Sequence, residues 1–224
     1  MIKHLTEIVE EARKKGRKRL AVAYGQDSHT LEAVYNAYKE GLVEPTLYGD
    51  KEVIEQVCRD NDIDIKVFNI VNEPNDVKCV QQAVAAVVAG NADVLMKGLV
   101  STDKYMRGIL NKDAGLFPPK GVLSHVSIVE MKSYHKLLVI SDVAVIPLPD
   151  FKQKMKQIGY LSATANLLGI TTPKIACIAP SEQVLPNVIS STEGALLAKM
   201  GDRGQLGNVI IEDPLSVSYT HLRA

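Results

Sequence analysis

The stretch Val94-Leu95-Met96-Lys97-Gly98-Leu99-Val100-Ser101-Thr102 decides the fold class of this chain. Its first three residues are an apolar run that predicts a short buried strand, and Ser101 or Thr102 is a natural N-cap for a helix. That helix is indicated by four apolar residues at helical spacing, namely Tyr105, Met106, Ile109 and Leu110. A strand followed by a tight turn and a helix is the repeating unit of α/β proteins.

The same succession recurs along most of the sequence. Short apolar runs predict strands at residues 20–24, 46–48, 65–68, 94–96, 137–141, 175–179 and 208–211. Apolar residues at helical spacing lie between them, in the sets Leu31/Val34/Tyr35/Tyr38, Val53/Ile54/Val57, Val77/Val80/Val84/Val87/Val88 and Met155/Ile158/Leu161. This alternation is typical of a mainly parallel sheet covered by helices, so the predicted fold class is α/β.

The residues after the strand at 94–96 predict an anion site. A helix N-terminus leaves about four N–H groups unpaired and carries roughly half a positive charge, and Gly98 lets the backbone approach an oxyanion closely. Lys97 adds a cation, and the long side chain of Arg107 could return to the hydroxyls of Ser101 and Thr102 for bidentate contact. The alternative is an ordinary capped helix with solvated cations, and this segment alone does not choose between the two.

Polar residues also follow other predicted strands. They lie at 25–28 (Gly-Gln-Asp-Ser), 49–50 (Gly-Asp), 141–142 (Ser-Asp) and 179–182 (Ala-Pro-Ser-Glu). In open parallel sheets, ligands bind beyond the carboxyl ends of the strands, so we expect these exits and the 97–102 segment to meet at one end of a sheet. Each of them is also common turn and capping chemistry when taken singly.

Composition excludes several classes of protein. With 26 basic and 26 acidic residues the formal charge is zero, so no global field attracts nucleic acid or an anionic membrane. The three cysteines, Cys58, Cys79 and Cys177, are widely spaced, which argues against a disulfide framework or a zinc site and favours a reduced cytosol. Residues 1–16 predict an amphipathic helix and not a signal peptide, and no apolar run is long enough to span a bilayer.

Domain organisation is indicated by a break in the alternation. Residues 111–120 contain Gly115, Pro118 and Pro119 and predict a connection, so we place a domain boundary near Gly121, between domains at 1–121 and 122–215. Residues 122–130 alternate apolar and polar side chains, like a half-buried antiparallel strand. Residues 216–224 show no periodicity or cap, and we expect them to be a non-native tail that follows the natural sequence.

Several segments, taken together, resemble the phosphate acetyl/butyryltransferase family, and its butyryltransferase branch most closely. They are 21–27, 44–50, 93–102, 123–126, 141–142, 168–174, 182–186 and 213–215. The ordered set covers nearly all of residues 1–215. One Gly-Asp pair would be weak evidence, but the ordered set is strong.

The resemblance implies reversible transfer of a short acyl group, butyryl or similar, between an acyl phosphate and coenzyme A, with release of inorganic phosphate. It implies coenzyme A as a substrate and no bound cofactor or metal. It also implies a fold like that of isocitrate and isopropylmalate dehydrogenases, with two α/β domains flanking a cleft that holds the active site. The expected protein is a cytoplasmic homodimer without nucleic-acid or membrane partners.

The same resemblance assigns roles to particular residues. Ser101, Thr102 and Arg107 match the hydroxyl and arginine positions that the family associates with the phosphoryl group. We expect Arg107 and Lys97 at the phosphoryl oxygens, with hydrogen bonds from Gly98, Ser101 and Thr102. Two further candidates for substrate binding remain ambiguous: Asp142 either orients a cation or caps a turn, and His125 is either a base or a structural histidine.

One departure from the family pattern concerns the end of the chain. The family has a late Ser-Arg pair and a following aspartate that are linked to coenzyme A binding and thiol deprotonation, and this sequence ends before any such motif. We therefore expect the chain as given to be truncated in its second domain and inactive. Two alternatives are a non-catalytic ligand-binding or dimerisation module, and a metal-dependent decarboxylating dehydrogenase. The dehydrogenase would need clustered aspartates and a Gly-x-Gly-x-x-Gly site, and neither is found.

Overall fold

The computed structural model describes residues 1–216, so the predicted tail lies, except for Ser216, outside the described residues. The chain divides into two compact units. The first unit is Val9–Gly121, and the second consists of Met1–Ile8 together with the chain from Val122 onward. The first eight residues thus group with the later part of the chain, which the sequence did not indicate.

The first unit alternates helices and strands. In chain order these are α1 (Leu5–Lys14, whose first residues belong to the second unit), β1 (Lys18–Ala23), α2 (Ser28–Lys39), β2 (Val43–Gly49), α3 (Lys51–Asp60), β3 (Asn69–Asn72), α4 (Asp76–Val88), β4 (Val94–Lys97) and α5 (Thr102–Ile109). The four strands form one sheet in the order β3-β2-β1-β4, and every pair is parallel. The predicted parallel sheet is confirmed.

Strand β1 explains why this sheet is covered on both faces. Its successive side chains point to opposite faces, and residues 20–23 are all at least 95% buried. Leu20 and Val22 join one core cluster with Leu31, Leu47 and Ile54, whereas Ala21 and Ala23 join another with the α4 residues Val80 and Val84. Strands buried on both faces belong to parallel sheets sandwiched between helices.

The strand predicted at 65–68 is wrong. Residues Ile65–Val67 form a 3₁₀ helix, which Asp64 caps by accepting a hydrogen bond from the backbone amide of Lys66 at 3.0 Å. The strand begins only at Asn69, which pairs with Thr46 of β2. An apolar run of this length does not distinguish a strand from a short helical turn, and here the local cap decided the outcome.

The second unit contains β5 (Ser127–Val129), β6 (Leu138–Ile140), α6 (Phe151–Leu167), β7 (Lys174–Ile178), α7 (Ile189–Asp202) and β8 (Ile210–Leu215). Strands β5 and β6 pair antiparallel, which confirms the antiparallel strand predicted within 122–130, although it is shorter than expected. Strands β7 and β8 pair parallel. Helix α7 was not predicted, because Val188 at its N-cap makes no side-chain capping hydrogen bond and so gives no start signal.

The polar exits do not all share one sheet. Those at 25–28, 49–50 and 97–102 follow three strands of the four-stranded sheet, whereas 141–142 and 179–182 follow strands of two separate two-stranded sheets in the second unit. The expectation of five exits at one sheet end is therefore wrong. Within residues 1–216, none of the helices is both long and apolar enough to cross a membrane. All three cysteines are free.

Candidate functional site

Four helices begin at the carboxyl edge of the four-stranded sheet. Helices α2, α3, α4 and α5 follow β1, β2, β3 and β4, and their N-caps are Asp27, Asp50, Asn75 and Ser101. Each helix start is a potential anion site because its first N–H groups lack partners within the helix. The caps and their surroundings decide which of the four helix starts is open.

The start of α3 is closed. The amide of Asp50 donates to Gln26 Oε1 at 2.9 Å, and the amide of Lys51 donates to Asn72 Oδ1 at 3.0 Å. The next two amides, of Glu52 and Val53, both donate to Asp50 Oδ1, at 3.0 and 3.3 Å. All four amides are thus partnered, and a carboxylate lies among them. An anionic ligand finds neither a free donor nor a favourable charge there.

The start of α2 also carries a carboxylate. Asp27 Oδ1 accepts a hydrogen bond from the backbone amide of Thr30 at 3.0 Å. Asp27 Oδ2 is buried and has no hydrogen-bond partner among residues 1–216. A second anion beside this carboxylate would be repelled, because like charges a few ångströms apart interact unfavourably.

The start of α5 is open and has a neutral cap. Ser101 Oγ accepts from the amide of Lys104 at a long 3.4 Å, which confirms Ser101 as the N-cap. Within the described residues, the backbone amides of Thr102 and Asp103 have no hydrogen-bond partner. Ser101 and Thr102 are both exposed.

The start of α4 also has a neutral cap, Asn75, but the first two amides of that helix, those of Asp76 and Val77, donate to the Asp76 carboxylate. Of the four helix starts, α5 is thus the one at which an anion meets a neutral cap and free backbone donors.

The loop before α5 is fixed against the end of β1. The amides of Gly98 and Leu99 donate to the carbonyls of Ala23 and Tyr24, each at 2.9 Å. A Cβ on Gly98 would lie only 2.3 Å from the Tyr24 carbonyl oxygen, so glycine is required by this close approach. Tyr24 itself has a left-handed φ of 59°, which is uncommon for a bulky residue. The loop is thus held rigidly at the sheet edge.

The two cations of the predicted site, Lys97 and Arg107, come before and after this helix start in the chain. Lys97 ends β4, and its Nζ donates to the carbonyl of Gly98 at 3.3 Å. Arg107 reaches back along α5 to the first turn, where its Nε and one terminal nitrogen each bond Asp103 at 3.1 Å. The guanidinium therefore comes to the expected turn, but it pairs with Asp103 and not with the hydroxyls of Ser101 and Thr102. The four-residue spacing of Asp103 and Arg107 was the signal that sequence inspection overlooked.

Asp142 lies in the second unit and accepts four hydrogen bonds. The amides of Ala144 and Val145 donate to Oδ1, both at 2.8 Å, while Ser124 Oγ and the amide of His125 donate to Oδ2 at 2.8 and 3.0 Å. Burial disfavours the charged carboxylate, but these bonds outweigh it and hold the pKa of Asp142 well below its usual range. A carboxylate has about four acceptor sites, so Asp142 is saturated. Of the two roles left open, the structure shows turn capping.

His125 and two unpredicted neighbours complete this network. His125 Nδ1 lies 3.4 Å from Ser127 Oγ, and its backbone amide binds Asp142. Ser124 Oγ accepts a hydrogen bond from the buried Gln157 at 3.2 Å. Gln157 gave no signal in the sequence, because one glutamine in a helix is ordinary surface composition.

The predicted site residues are divided between the two units. His125 and Asp142 belong to the second unit, whereas the first unit contains Lys97, Gly98, Ser101, Thr102 and Arg107. In the part of the chain that is described, no group of three or more His, Cys, Asp or Glu side chains could hold a metal ion.

Comparisons with known proteins identify relatives of this chain. Residues 4–85 and 73–205 match the family described as phosphate acetyl/butaryl transferase. A phosphate butyryltransferase of Clostridium acetobutylicum is 38% identical over 217 residues, which are 97% of this chain and 72% of that protein. A phosphate acetyltransferase of Thermotoga maritima is 36% identical over 213 residues, which are 95% of this chain and 71% of that protein.

Solved structures show the same fold. A branched-chain phosphotransacylase from Enterococcus faecalis superposes with a TM-score of 0.77 at 22% identity, over 92% of this chain and 74% of that one. A phosphotransacetylase from Staphylococcus aureus gives 0.70 at 15% identity, over 94% and 73%. At these identities the likeness concerns the fold alone, and membership rests on the sequence matches. On those matches, the chain belongs to the phosphate acetyl/butaryl transferase family.

Proposed function

We propose that this chain is a phosphate acyltransferase, which moves a short acyl group such as butyryl between an acyl phosphate and coenzyme A. The observation that carries the proposal is the open start of α5, which combines a neutral cap with two free backbone amides. Family membership supports the reaction class, and the relatives include both a butyryltransferase and an acetyltransferase.

The reaction sets clear demands on the site. The sulfur of coenzyme A forms a bond to the acyl carbon, the bond from that carbon to the phosphate oxygen breaks, and the thiol proton ends on the released phosphate. Negative charge builds on the carbonyl oxygen and on the leaving phosphate in the transition state. Fixed donors and cations aimed at those oxygens lower the barrier, and one such donor is typically worth about 3 to 4 kcal/mol.

The residues at the start of α5 suit the phosphoryl group. The amides of Thr102 and Asp103 are free to donate, and the hydroxyls of Ser101 and Thr102 are exposed beside them. Arg107 uses two donors on Asp103, so other guanidinium N–H groups remain for phosphoryl oxygens. We assign Arg107, Ser101 and Thr102 as catalytic residues, with Lys97 and Gly98 in substrate binding. Asp142 and His125 are further candidates for substrate binding, Asp142 through the loop at 142–145 that its carboxylate holds.

The family likeness supports further proposals. The fold is of the isocitrate and isopropylmalate dehydrogenase type, with a first domain at 1–121 that carries the phosphoryl site and a second at 122–215. Coenzyme A acts as a substrate, and the reaction uses no metal or bound cofactor. The protein is a homodimer of the cytoplasm that engages acyl phosphate, acyl-coenzyme A and inorganic phosphate, without nucleic-acid or membrane partners.

The test is phosphate release from butyryl phosphate with and without coenzyme A. It is made on the 224-residue chain and on the polypeptide expressed from its complete gene, so that any contribution of further chain is measured. We expect at least one of the two polypeptides to release phosphate in a reaction that depends on coenzyme A and forms the thioester. Tight binding of acyl phosphate without turnover in either polypeptide would refute the proposal and indicate a non-catalytic binding module. A strict need for a divalent cation and a nicotinamide nucleotide would also refute it.

A further inference from the structure

Leu99 is a large apolar side chain exposed at the centre of the polar loop before α5. Its side chain is 60% exposed, whereas the next residue, Val100, is 1% exposed and packs in the core of the first unit. Gly98, which precedes Leu99, and Ser101, which follows Val100, belong to the proposed phosphoryl site. An exposed leucine is ordinary on a protein surface, but this one lies inside a proposed binding loop.

The backbone of Leu99 is held on both sides. Its own amide donates to the Tyr24 carbonyl at 2.9 Å, and the preceding amide donates to Ala23. On the other side, Val100 is anchored among buried side chains of α4 and β1. The side chain is therefore presented at a fixed place and is not free to fold back into the core.

The distance from the phosphoryl site is short. Two residues of extended chain span at most about 7 Å, so the Cα of Leu99 lies within that distance of the Cα of Ser101. In an acyl phosphate, one bridging oxygen separates the phosphorus from the acyl carbon. When the phosphoryl group binds at the start of α5, the first carbons of the acyl chain therefore lie within reach of the Leu99 side chain.

We propose that Leu99 contacts the acyl chain of the substrate and sets a preference for chains longer than acetyl. This inference rests on the proposed function, because it takes the start of α5 as the phosphoryl site. The contact buries apolar surface of both partners, and its effect grows with each methylene of the chain. A residue of this kind determines specificity and leaves the phosphoryl contacts untouched.

The first test is the ratio of kcat/KM for butyryl phosphate to that for acetyl phosphate. Butyryl has two more methylenes than acetyl, and one methylene against a well-formed apolar wall changes kcat/KM by about tenfold or more. Because Leu99 forms only one side of the contact, we expect Leu99→Ala to lower this ratio by about tenfold in total. Leu99→Met, which keeps the apolar volume, should retain the wild-type ratio.

The matched control is Leu110→Ala. Leu110 is also a half-exposed leucine, but it lies at the C-cap of α5, eight residues from Thr102 and thus about 12 Å along the helix axis. Its removal should leave the ratio unchanged. If Leu99→Ala lowers kcat/KM for both substrates equally, or changes neither, Leu99 is not a specificity determinant.

A second test does not depend on turnover. Calorimetry measures the Kd of inorganic phosphate, methylphosphonate and butylphosphonate for the wild type and for Leu99→Ala. In Leu99→Ala we expect the Kd of inorganic phosphate and of methylphosphonate to stay within about twofold of the wild-type values. The Kd of butylphosphonate should rise about fivefold. If no acyl phosphate is turned over but this selective weakening is seen, the proposed function fails and the contact stands. If acyl transfer occurs and neither the kinetic ratio nor the phosphonate series changes, the proposed function stands and the contact is refuted.

Discussion

Replacing Arg107 with alanine should separate catalysis from stability. The guanidinium pairs only with Asp103 among the described residues, and the two side chains are 79% and 66% exposed. Exposed pairs of this kind stabilise a protein by less than about 1 kcal/mol, and alanine is at least as good a helix former as arginine. We therefore expect the midpoint of urea unfolding to stay close to that of the wild type.

The catalytic effect should be much larger. Loss of one donor aimed at a developing oxyanion costs about 3 to 4 kcal/mol, which is a fall of roughly 100- to 1000-fold in turnover. The variant also leaves Asp103 without its cation beside the phosphoryl site, which adds repulsion. The assay is coenzyme A-dependent release of phosphate from butyryl phosphate, together with the Kd of inorganic phosphate measured by calorimetry.

The matched control is Arg59→Ala. Arg59 is 62% exposed, lies on α3 of the same unit, and has its nearest carboxylate partner, Glu55, at the same four-residue spacing and 3.9 Å away. Its loss should change neither turnover nor phosphate binding by more than about twofold. Turnover by Arg107→Ala equal to that of Arg59→Ala would contradict the placement of the phosphoryl group at α5.

Two further predictions concern stability. Gly98→Ala should destabilise the protein by about 1 to 3 kcal/mol or prevent folding, because the new Cβ meets the Tyr24 carbonyl. Gly159→Ala has open space around its Cβ and should stabilise α6 by roughly 0.5 to 1 kcal/mol. Equal midpoints of urea unfolding for the two variants would contradict this. Burial raises the pKa of Asp213 to about 7, against the opposing effect of its bond with Cys177. Between about pH 4 and 7, Asp213 is therefore protonated in the folded state and ionised in the unfolded state. Its contribution to the free energy of unfolding is complete below pH 4, and it falls by at most about 1.4 kcal/mol per pH unit as the pH rises. The stability of the Asp213→Asn variant should not show this fall with pH. The same pH dependence of stability in the variant and the wild type would refute the assignment to Asp213.

Much of the first unit could be predicted because its signals are local. The apolar run at 94–96, the cap at Ser101 and the helical spacing after it are read from neighbouring residues, and the structure has each of them. The parallel pairing follows from the alternation of strands and helices. The prediction of a strand at 65–68 is wrong because another local signal, the cap from Asp64, favours a helical turn over the strand that the apolar run indicates.

The closure of the start of α3 could not be predicted, because it depends on contacts between distant residues. Gln26 and Asn72 close the start of α3, and they are 24 and 21 residues from the amides that they bind. Nothing in the composition of those segments indicates this pairing. The pattern favoured the start of α5 and left the other strand exits as lesser candidates, and only the folded sheet edge shows that the start of α3 is closed.

The contrast between the caps leads to a final prediction, for Ser101→Asp. Aspartate and serine are about equally good N-caps, and a negative charge at a helix start is favourable to the helix, so the fold should be at least as stable as the wild type. Phosphate binding should nevertheless weaken, because the helix start would then resemble those of α2 and α3. One unit charge about 4 Å away costs about 1 kcal/mol in water, or about 2 kcal/mol against a dianion, which is roughly thirtyfold in Kd. Ser101→Asn, a neutral cap of similar size and quality, is the control: it loses the serine hydroxyl just as the aspartate variant does, so the difference in Kd between the two variants measures the charge alone. Added salt should narrow the difference between the two variants, because the site is exposed. If the aspartate variant binds phosphate as tightly as the asparagine variant at low salt, the anion does not bind at α5, and neither cap charge nor the open amides of this helix selects the site.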